Sequence, residues 1–129
     1  MIRVVCAIIT RKSEVLCVRR SAEMSQPLLW EFPGGKIMEG ETEQQALVRE
    51  IMEELNLKVK PEMRLKPVTH QYEDKKIELI PYFCKADNAN PILTEHADYC
   101  WLKAEKLTDL EFCSPDVAIA EQVNRWISV

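Results

Sequence analysis

The chain has 129 residues and a formal net charge of −4, and hydrophobic residues make up 47% of it. That length predicts a single domain, residues 1–129, with enough apolar side chains to bury a core. The acidic balance, without a basic tail, argues against binding to a nucleic-acid polymer. No segment has the length and flanks of a signal peptide or membrane span, so we expect a cytoplasmic protein with no membrane partner.

The cysteines give no sign of a catalytic thiol. There are five of them, widely spaced and without a CxxC pair. The odd number and the spacing indicate reduced, mostly buried thiols. No base accompanies any of them in the sequence, so a cysteine nucleophile is not favoured.

The N-terminal residues predict a β-hairpin. Residues 2–10 form an apolar, β-branched run typical of a strand buried on both faces. Residues 15–18 predict the second strand, with a turn near residues 11–14. Arg19 and Arg20 end this strand, either as surface cations or as phosphate contacts, because guanidinium forks match phosphate oxygens.

A loop and a constrained turn follow the hairpin. The loop, residues 21–29, is a plausible flap over a substrate. The sequence WEFPGG at residues 30–35 places two glycines and a proline after a short apolar run. This composition predicts a tight turn whose backbone can approach a metal or a phosphate.

The next segment predicts an amphipathic helix. Thr42 suits the N-cap position, and Gln45 completes a capping box. Apolar residues recur at i, i+4 and i+8, which predicts a buried stripe. The positions of the stripe are Leu47, Ile51 and Leu55.

A second face of this helix carries Glu50, Glu53 and Glu54. Like charges at this spacing repel by about 0.2–0.5 kcal/mol per pair, and the helix dipole disfavours anions near the C-terminus. The face is either a solvated acidic surface or a site for a hard divalent cation. Arg49 lies one turn before Glu53 and is placed to hold the carboxylates by paired hydrogen bonds.

The second half of the chain predicts more strands than helices. The predicted strands are residues 57–60, 64–72, 76–85 and 99–102. Pro61 is expected to end the first of them, and Pro81 to mark an edge or a bulge. Residues 73–75 are expected to join the second and third strands.

A final helix is predicted from Ser114, with Ser114 as N-cap, Pro115 at the first helical position and Asp116 in the first turn. Its core-facing stripe is predicted to be Ile119, Val123, Trp126 and Ile127. His70 and His96 lack metal-ligand spacing and are interpreted as structural or surface residues.

The spacing of residues 35–57 resembles the Nudix box of the Nudix hydrolases. The matching positions are Gly35, Glu41, Arg49, Glu50, Ile51, Glu53, Glu54 and Leu57. One position departs, because Asn56 stands where the family usually has glycine. Asparagine tolerates the left-handed conformation common after a helix, so we expect no loss of function.

The resemblance implies an α/β fold, namely an α/β/α sandwich with a mixed curved sheet between helices. It implies hydrolysis of a nucleoside diphosphate linked to another moiety, with Mg²⁺ as cofactor and Mn²⁺ as the alternative ion. Glu50 or Glu53 would activate water, and Arg49 would orient the carboxylates. The implied metal-binding residues are Gly34, Glu50, Glu53, Glu54 and Glu95.

The resemblance also implies the substrate-binding residues. Arg20 would contact phosphate, Phe32 would line the base pocket, and Asp116 would read the base edge. Without the resemblance, Asp116 is explained as a first-turn acid and Glu95 as a solvated loop residue.

The short chain resembles the MutT-like branch, which cleaves nucleoside triphosphates to monophosphate and pyrophosphate. Such an activity cleanses the nucleotide pool and so protects DNA. An ionised Asp116 only accepts hydrogen bonds, which favours cytidine nucleotides, with oxidised dGTP as the rival substrate.

The alternatives are hydrolysis of another nucleoside diphosphate derivative, nucleotide binding without catalysis, and metal buffering. A monomer and a homodimer both remain open.

Overall fold

The computed structural model describes residues 1–127. Strands within them are β1 (Ile2–Arg11), β2 (Glu14–Arg19), β3 (Trp30–Glu31), β4 (Gly34–Lys36), β5 (Val59–Arg64), β6 (Val68–Gln71), β7 (Lys76–Ala86) and β8 (Asp98–Lys103). The helices are α1 (Glu43–Leu55) and α2 (Ser114–Ile127), and a short 3₁₀ helix spans Ala104–Asp109.

Strand β1 is the centre of a mixed sheet. The main strand order is β3-β2-β1-β7-β5, with β4 beside β1, β6 beside β7 and β8 beside β2. β1 runs parallel to β7 and antiparallel to β2 and β4. Thr10 faces Val15 and Arg11 faces Glu14, which confirms the predicted hairpin.

The core has two halves, one on each face of the sheet. Side chains alternate along a strand, so Val5, Ala7 and Ile9 pack on the side of α1. Cys6 and Ile8 pack on the opposite side with α2 and the 3₁₀ helix. Burial on both faces explains the continuous apolar run of β1. The predicted α/β fold, with a mixed sheet between helices, is confirmed.

Helix α1 forms as its sequence predicts. The Gln45 N–H donates to Thr42 Oγ1 at 3.1 Å, and the Thr42 N–H donates to Gln45 Oε1 at 3.0 Å. Asn56 ends the helix in the left-handed conformation, with φ 53° and ψ 35°. The predicted stripe is fully buried at Leu47, Ile51 and Leu55. The capping box and the stripe together fix which face α1 turns away from the core.

One prediction about prolines was wrong. Pro61 does not end its strand, because β5 continues past it through an irregular register between Pro61 and Met63. Of the two alternatives for Pro81, an edge or a bulge, the structure excludes the edge, because β7 is an interior strand. The register of β7 slips by one residue between the pairs Arg64–Tyr82 and Val68–Leu79. The Pro81 carbonyl accepts a hydrogen bond from the Leu65 N–H at 2.8 Å, between the segments of β7 that pair with β5 and β6. Strand β6 begins only at Val68, later than predicted.

Helix α2 differs from its prediction in two details. Ser114 is the first helical residue and not the cap, since the Cys113 carbonyl accepts from the Val117 N–H at 3.3 Å. The first two positions of the predicted stripe are buried, but Trp126 is 55% exposed. Ile127, the last position of the predicted stripe, does pack against the core.

The sequence predicted reduced, mostly buried cysteines and no membrane span. All five cysteines are unpaired, and four of them are buried. Within residues 1–127, neither helix is long and apolar enough to cross a lipid bilayer.

Candidate active site

Two glycines bring the backbone of β4 against both β1 and α1. A Cβ atom on Gly34 would lie 1.9 Å from the carbonyl oxygen of Val5. A Cβ atom on Gly35 would lie 2.3 Å from Cδ of Glu50. Both distances are far shorter than any real contact, so backbone atoms exclude a side chain at position 34, and a side chain at position 35 would displace the Glu50 carboxylate. Glycine is therefore what allows the Glu50 carboxylate to lie directly on the turn.

Arg49 fixes three of the glutamates of the box. Its guanidinium donates to both carboxylate oxygens of Glu41, at 2.7 and 2.9 Å, and to Glu50 at 2.9 Å. It also donates to the Lys36 carbonyl at 3.1 Å and reaches Glu53 at 3.4 Å. Hydrogen bonds from Arg49 and from the backbone lower the pKa of Glu41 to about 2. The Glu41 carboxylate is therefore ionised at neutral pH, and Arg49 holds it in place.

Glu54 lies in the opposite electrostatic environment. Its side chain accepts a hydrogen bond from the Gly34 N–H at 3.2 Å and has no arginine beside it. Burial, together with the nearby charges of Glu31 and Glu50, raises the pKa of Glu54 to about 8. A carboxylate in this position is unfavourable unless a cation compensates it.

The loop of residues 92–96 brings a further carboxylate to α1. The Ile92 N–H donates to the Leu55 carbonyl at 2.9 Å. The Thr94 N–H and hydroxyl both donate to the Glu54 carbonyl, at 3.2 Å each. These bonds satisfy carbonyls that the end of a helix leaves unpaired. The loop is thus fixed to the C-terminus of α1, and Glu95 follows directly.

A cleft of about 220 Å³ joins these carboxylates. Its lining residues are Met24, Glu50, Glu53, Glu54, Thr94, Glu95 and His96. The four predicted metal-binding glutamates therefore face one space. Within residues 1–127, no three acidic, histidine or cysteine side chains already have the spacing of a closed metal site.

The donor chemistry nevertheless fits a hard divalent cation, which takes carboxylate oxygens together with water and phosphate. The raised pKa of Glu54 also fits a bound cation. A cation in this cleft would offset both the burial and the nearby negative charges that disfavour the ionised carboxylate.

Sequence reasoning missed Glu31, which connects two sides of the site. Its carboxylate accepts from Arg20 Nη1 at 3.0 Å and bonds His96 Nε2 at 2.9 Å. The available signal was that Glu31 is the single charge between Trp30 and Phe32, directly before the glycine turn. His96, expected to be structural or superficial, is buried and lines the clefts.

The predicted substrate residues line two adjoining clefts of about 370 and 720 Å³. Arg20, Glu31 and Asp116 line both of them, and Phe32 lines the first. The Phe32 ring is itself buried, and it stacks on Phe112 with 5.2 Å between ring centroids. The structure therefore brings Phe32 to the cleft wall rather than into the open space.

Asp116 lies in the first turn of α2 and is buried in the wall of the cleft. Its carboxylate accepts from the Phe32 N–H at 2.9 Å, and only 5% of the residue is exposed. Burial raises the pKa of Asp116 to about 8, although the Phe32 N–H acts in the opposite direction. The carboxyl group is therefore mainly protonated at pH 7, which the sequence did not predict.

Comparisons with known proteins agree with this geometry. A model of the NUDIX domain matches residues 4–122. CTP pyrophosphohydrolase of Escherichia coli (strain K12) is 31% identical over 121 residues, covering 94% of this chain and 90% of that protein. The 8-oxo-dGTP diphosphatase of Proteus vulgaris is 34% identical over 90 residues, covering 70% of this chain and 79% of that protein.

A solved structure shows the same fold. The crystal structure of MutT protein from Methanosarcina mazei Go1 superposes with a TM-score of 0.87 at 28% identity, covering 97% of this chain and 94% of that one. Nudix hydrolases generally use divalent metal ions, which suits the acidic cleft. The chain therefore belongs to the Nudix hydrolase family and is an enzyme of that class.

Proposed function

We propose that this protein hydrolyses a nucleoside triphosphate to the monophosphate and pyrophosphate, with Mg²⁺ as cofactor and Mn²⁺ as an alternative ion. The observation that carries the proposal is the position of Arg20. It lines the same cleft as Glu54 and Glu95, so a phosphate-binding cation faces the acidic groups across one space. The similarity to CTP pyrophosphohydrolase over 94% of the chain supports this substrate class.

The acidic residues have separable tasks in this proposal. Glu50, Glu53, Glu54, Glu95 and the Gly34 carbonyl would hold the metal. When bound, Mg²⁺ would neutralise phosphate oxygens and stabilise the charge that develops on them. Glu50 or Glu53 would accept a proton from the attacking water.

Arg49 would act by orienting these carboxylates. It already donates to Glu50 and reaches Glu53, at 2.9 and 3.4 Å. Water would then attack a phosphorus atom in line with the departing phosphate oxygen. The protein mainly positions the groups and stabilises charge, as is usual for phosphoryl transfer.

The base would lie beside Phe32 and Asp116. Because Asp116 is mainly protonated at pH 7, it can donate one hydrogen bond as well as accept others. This corrects the expectation of an acceptor that favours only an exocyclic amine. We therefore propose that cytidine triphosphate and oxidised dGTP are both substrates near pH 7. Above pH 8 the ionised group would favour the cytosine amine.

The proposal also covers the setting of the reaction. The family model spans residues 4–122, which supports a single catalytic domain. A net charge of −4 disfavours nucleic-acid polymers as partners. We propose a cytoplasmic role in cleansing the nucleotide pool.

A nucleotide panel tests the proposal. CTP, dCTP, dGTP and 8-oxo-dGTP are each incubated with Mg²⁺ or with EDTA, at pH 7 and pH 9, and products are identified by mass. We expect Mg²⁺-dependent release of monophosphate and pyrophosphate. The preference for CTP over 8-oxo-dGTP should rise about tenfold at pH 9, because a group with pKa near 8 ionises across that interval.

Asp116→Asn is the matched control for the panel, since an amide keeps one donor and one acceptor at every pH. Its base preference should not change between pH 7 and pH 9. Nucleotide binding without any product at either pH would contradict the enzymatic proposal.

A further inference from the structure

Glu31 connects parts of the cleft that are distant in sequence. One carboxylate oxygen accepts from Arg20 Nη1 at 3.0 Å, and the other bonds His96 Nε2 at 2.9 Å. The Glu31 side chain is 19% exposed, compared with 22% for Arg20 and 4% for His96. The two bonds use different oxygens, so the orientation of the carboxylate is determined from both sides.

Arg20 is oriented by a second group on its other edge. Its Nε donates to the Ser25 carbonyl at 2.6 Å, and its Nη2 donates to Ser25 Oγ at 3.1 Å. A guanidinium has five N–H groups. The contacts to Ser25 and Glu31 engage three of them, so two remain for a ligand in the cleft. The planar fork is therefore fixed while part of its donor capacity stays free.

His96 links this arrangement to the acidic end of the site. It follows Glu95 in the loop that Thr94 ties to the end of α1. The Ala97 N–H donates to the Arg19 carbonyl at 2.8 Å, which fixes the same loop to β2. A continuous set of contacts thus runs from the box glutamates through His96 and Glu31 to Arg20.

We propose that Glu31 is a positioning residue, which holds the Arg20 guanidinium at a fixed place relative to the metal-binding carboxylates and so sets the affinity for the phosphate chain. This inference rests on the proposed function. Glu31 acts through Arg20 and does not itself take part in the chemistry. Its loss therefore raises KM for the nucleoside triphosphate and leaves kcat nearly unchanged, since the lost interaction is equal in ground state and transition state.

The negative charge of Glu31 costs free energy in this position, which argues against a role in packing alone. Its charge is among the causes that raise the pKa of both Glu54 and Asp116. An apolar side chain of similar size would fill the same volume without that repulsion. The carboxylate is thus explained by its two directed hydrogen bonds, which a single methylene change would break.

Two substitutions separate the length of this side chain from its charge. Glu31→Asp keeps the charge but is one methylene shorter, so it cannot reach Arg20 and His96 together. Glu31→Gln keeps the length and an oxygen acceptor for Arg20. We expect KM to rise about tenfold in Glu31→Asp, the equivalent of one charge-assisted hydrogen bond, and to stay within about threefold of wild type in Glu31→Gln.

A double-mutant cycle shows whether Glu31 acts through Arg20. Arg20→Ala and Arg20→Ala/Glu31→Asp should have equal KM values, because the positioned group is already absent. Glu14→Asp serves as the matched control, since Glu14 forms a comparable ion pair with Arg11 away from the cleft. Thermal melting of every variant establishes that it is folded.

Two results would overturn the inference. One is a normal KM in folded Glu31→Asp, whatever the KM of Glu31→Gln. The other is a KM for the double variant that is well above the KM of Arg20→Ala. If Glu31→Asp does not fold, His96→Gln tests the same link, and an unchanged KM in it overturns the inference. Absence of Mg²⁺-dependent hydrolysis in the wild type would instead refute the proposed function.

Discussion

Glu41 and Glu54 belong to the same box and have opposite electrostatics. Arg49 donates to both oxygens of Glu41, and the pKa of Glu41 falls to about 2. Glu54 has a single bond from the Gly34 N–H, and burial among other carboxylates raises its pKa to about 8. At Glu41 the negative charge is compensated by Arg49. At Glu54 the nearby negative charges repel the carboxylate, and no arginine forms an ion pair with it among residues 1–127.

This difference in pKa predicts different roles for Glu41 and Glu54, although both belong to one motif. A carboxylate paired with arginine is stable without a ligand and keeps the turn in place. A buried carboxylate beside like charges is stabilised only by a proton or a cation. We therefore propose that Glu54 belongs to the ligand-binding part of the site, and that Glu41 and Arg49 form its frame.

The largest expected effect tests the ligand-binding end. Glu54→Gln keeps the acceptor for the Gly34 N–H and removes the charge. We expect turnover of the nucleoside triphosphate to fall by about 10²–10³-fold, as when one preorganised electrostatic group is removed from an active site. Steady-state kinetics with saturating Mg²⁺ measures it. Undiminished turnover would place Glu54 with the frame instead.

The frame is tested by Arg49→Lys. Lysine is a point charge and cannot engage Glu41, Glu50 and the Lys36 carbonyl together. We expect kcat to fall about 10- to 100-fold, as for other residues that orient metal ligands. Arg11→Lys, in a surface ion pair, is the matched control. Equal kcat in both variants would show that the frame does not need the guanidinium.

Glu54→Gln should raise the free energy of unfolding although it lowers turnover. Its folded pKa of about 8 exceeds the ordinary value of 4.5, so ionisation opposes folding. The penalty is absent below about pH 4, grows between pH 4.5 and 8, and is complete above pH 8. In EDTA at pH 8.5, Glu54→Gln should therefore be about 4 kcal/mol more stable than wild type.

Urea unfolding at pH 4 and pH 8.5 measures this difference. The gap between Glu54→Gln and wild type should close at pH 4, where both side chains are neutral. A variant that is less stable than wild type at pH 8.5 would show that Glu54 is not under repulsion.

The smallest effect concerns the end of α1, where no charge is involved. Asn56 adopts φ 53°, a conformation in which glycine has no steric cost. Asn56→Gly should change the free energy of unfolding by less than about 0.5 kcal/mol and leave kcat unchanged. Differential scanning calorimetry and the nucleotide assay check both. A large loss of activity would mean that the departure from the usual box matters after all.

Local patterns explain which parts of the fold were predictable. The capping box, the buried stripe of α1 and the hairpin all depend on residues within a few positions of each other. Pro61 and Trp126 were misjudged because their outcomes depend on neighbours far along the chain. Pro61 pairs with Cys84 of β7, and the end of α2 packs on the core through Ile127 but not through Trp126.

The sequence by itself determined the family and the acidic face of α1, because helical spacing places Glu50, Glu53 and Glu54 on one side of the helix. Only the tertiary structure decided which carboxylates are paired and which are buried without a partner. Glu31 meets His96 across 65 positions, and Phe32 meets Asp116 across 84. Burial is a property of the packed chain, and burial set the charge states on which the chemistry depends.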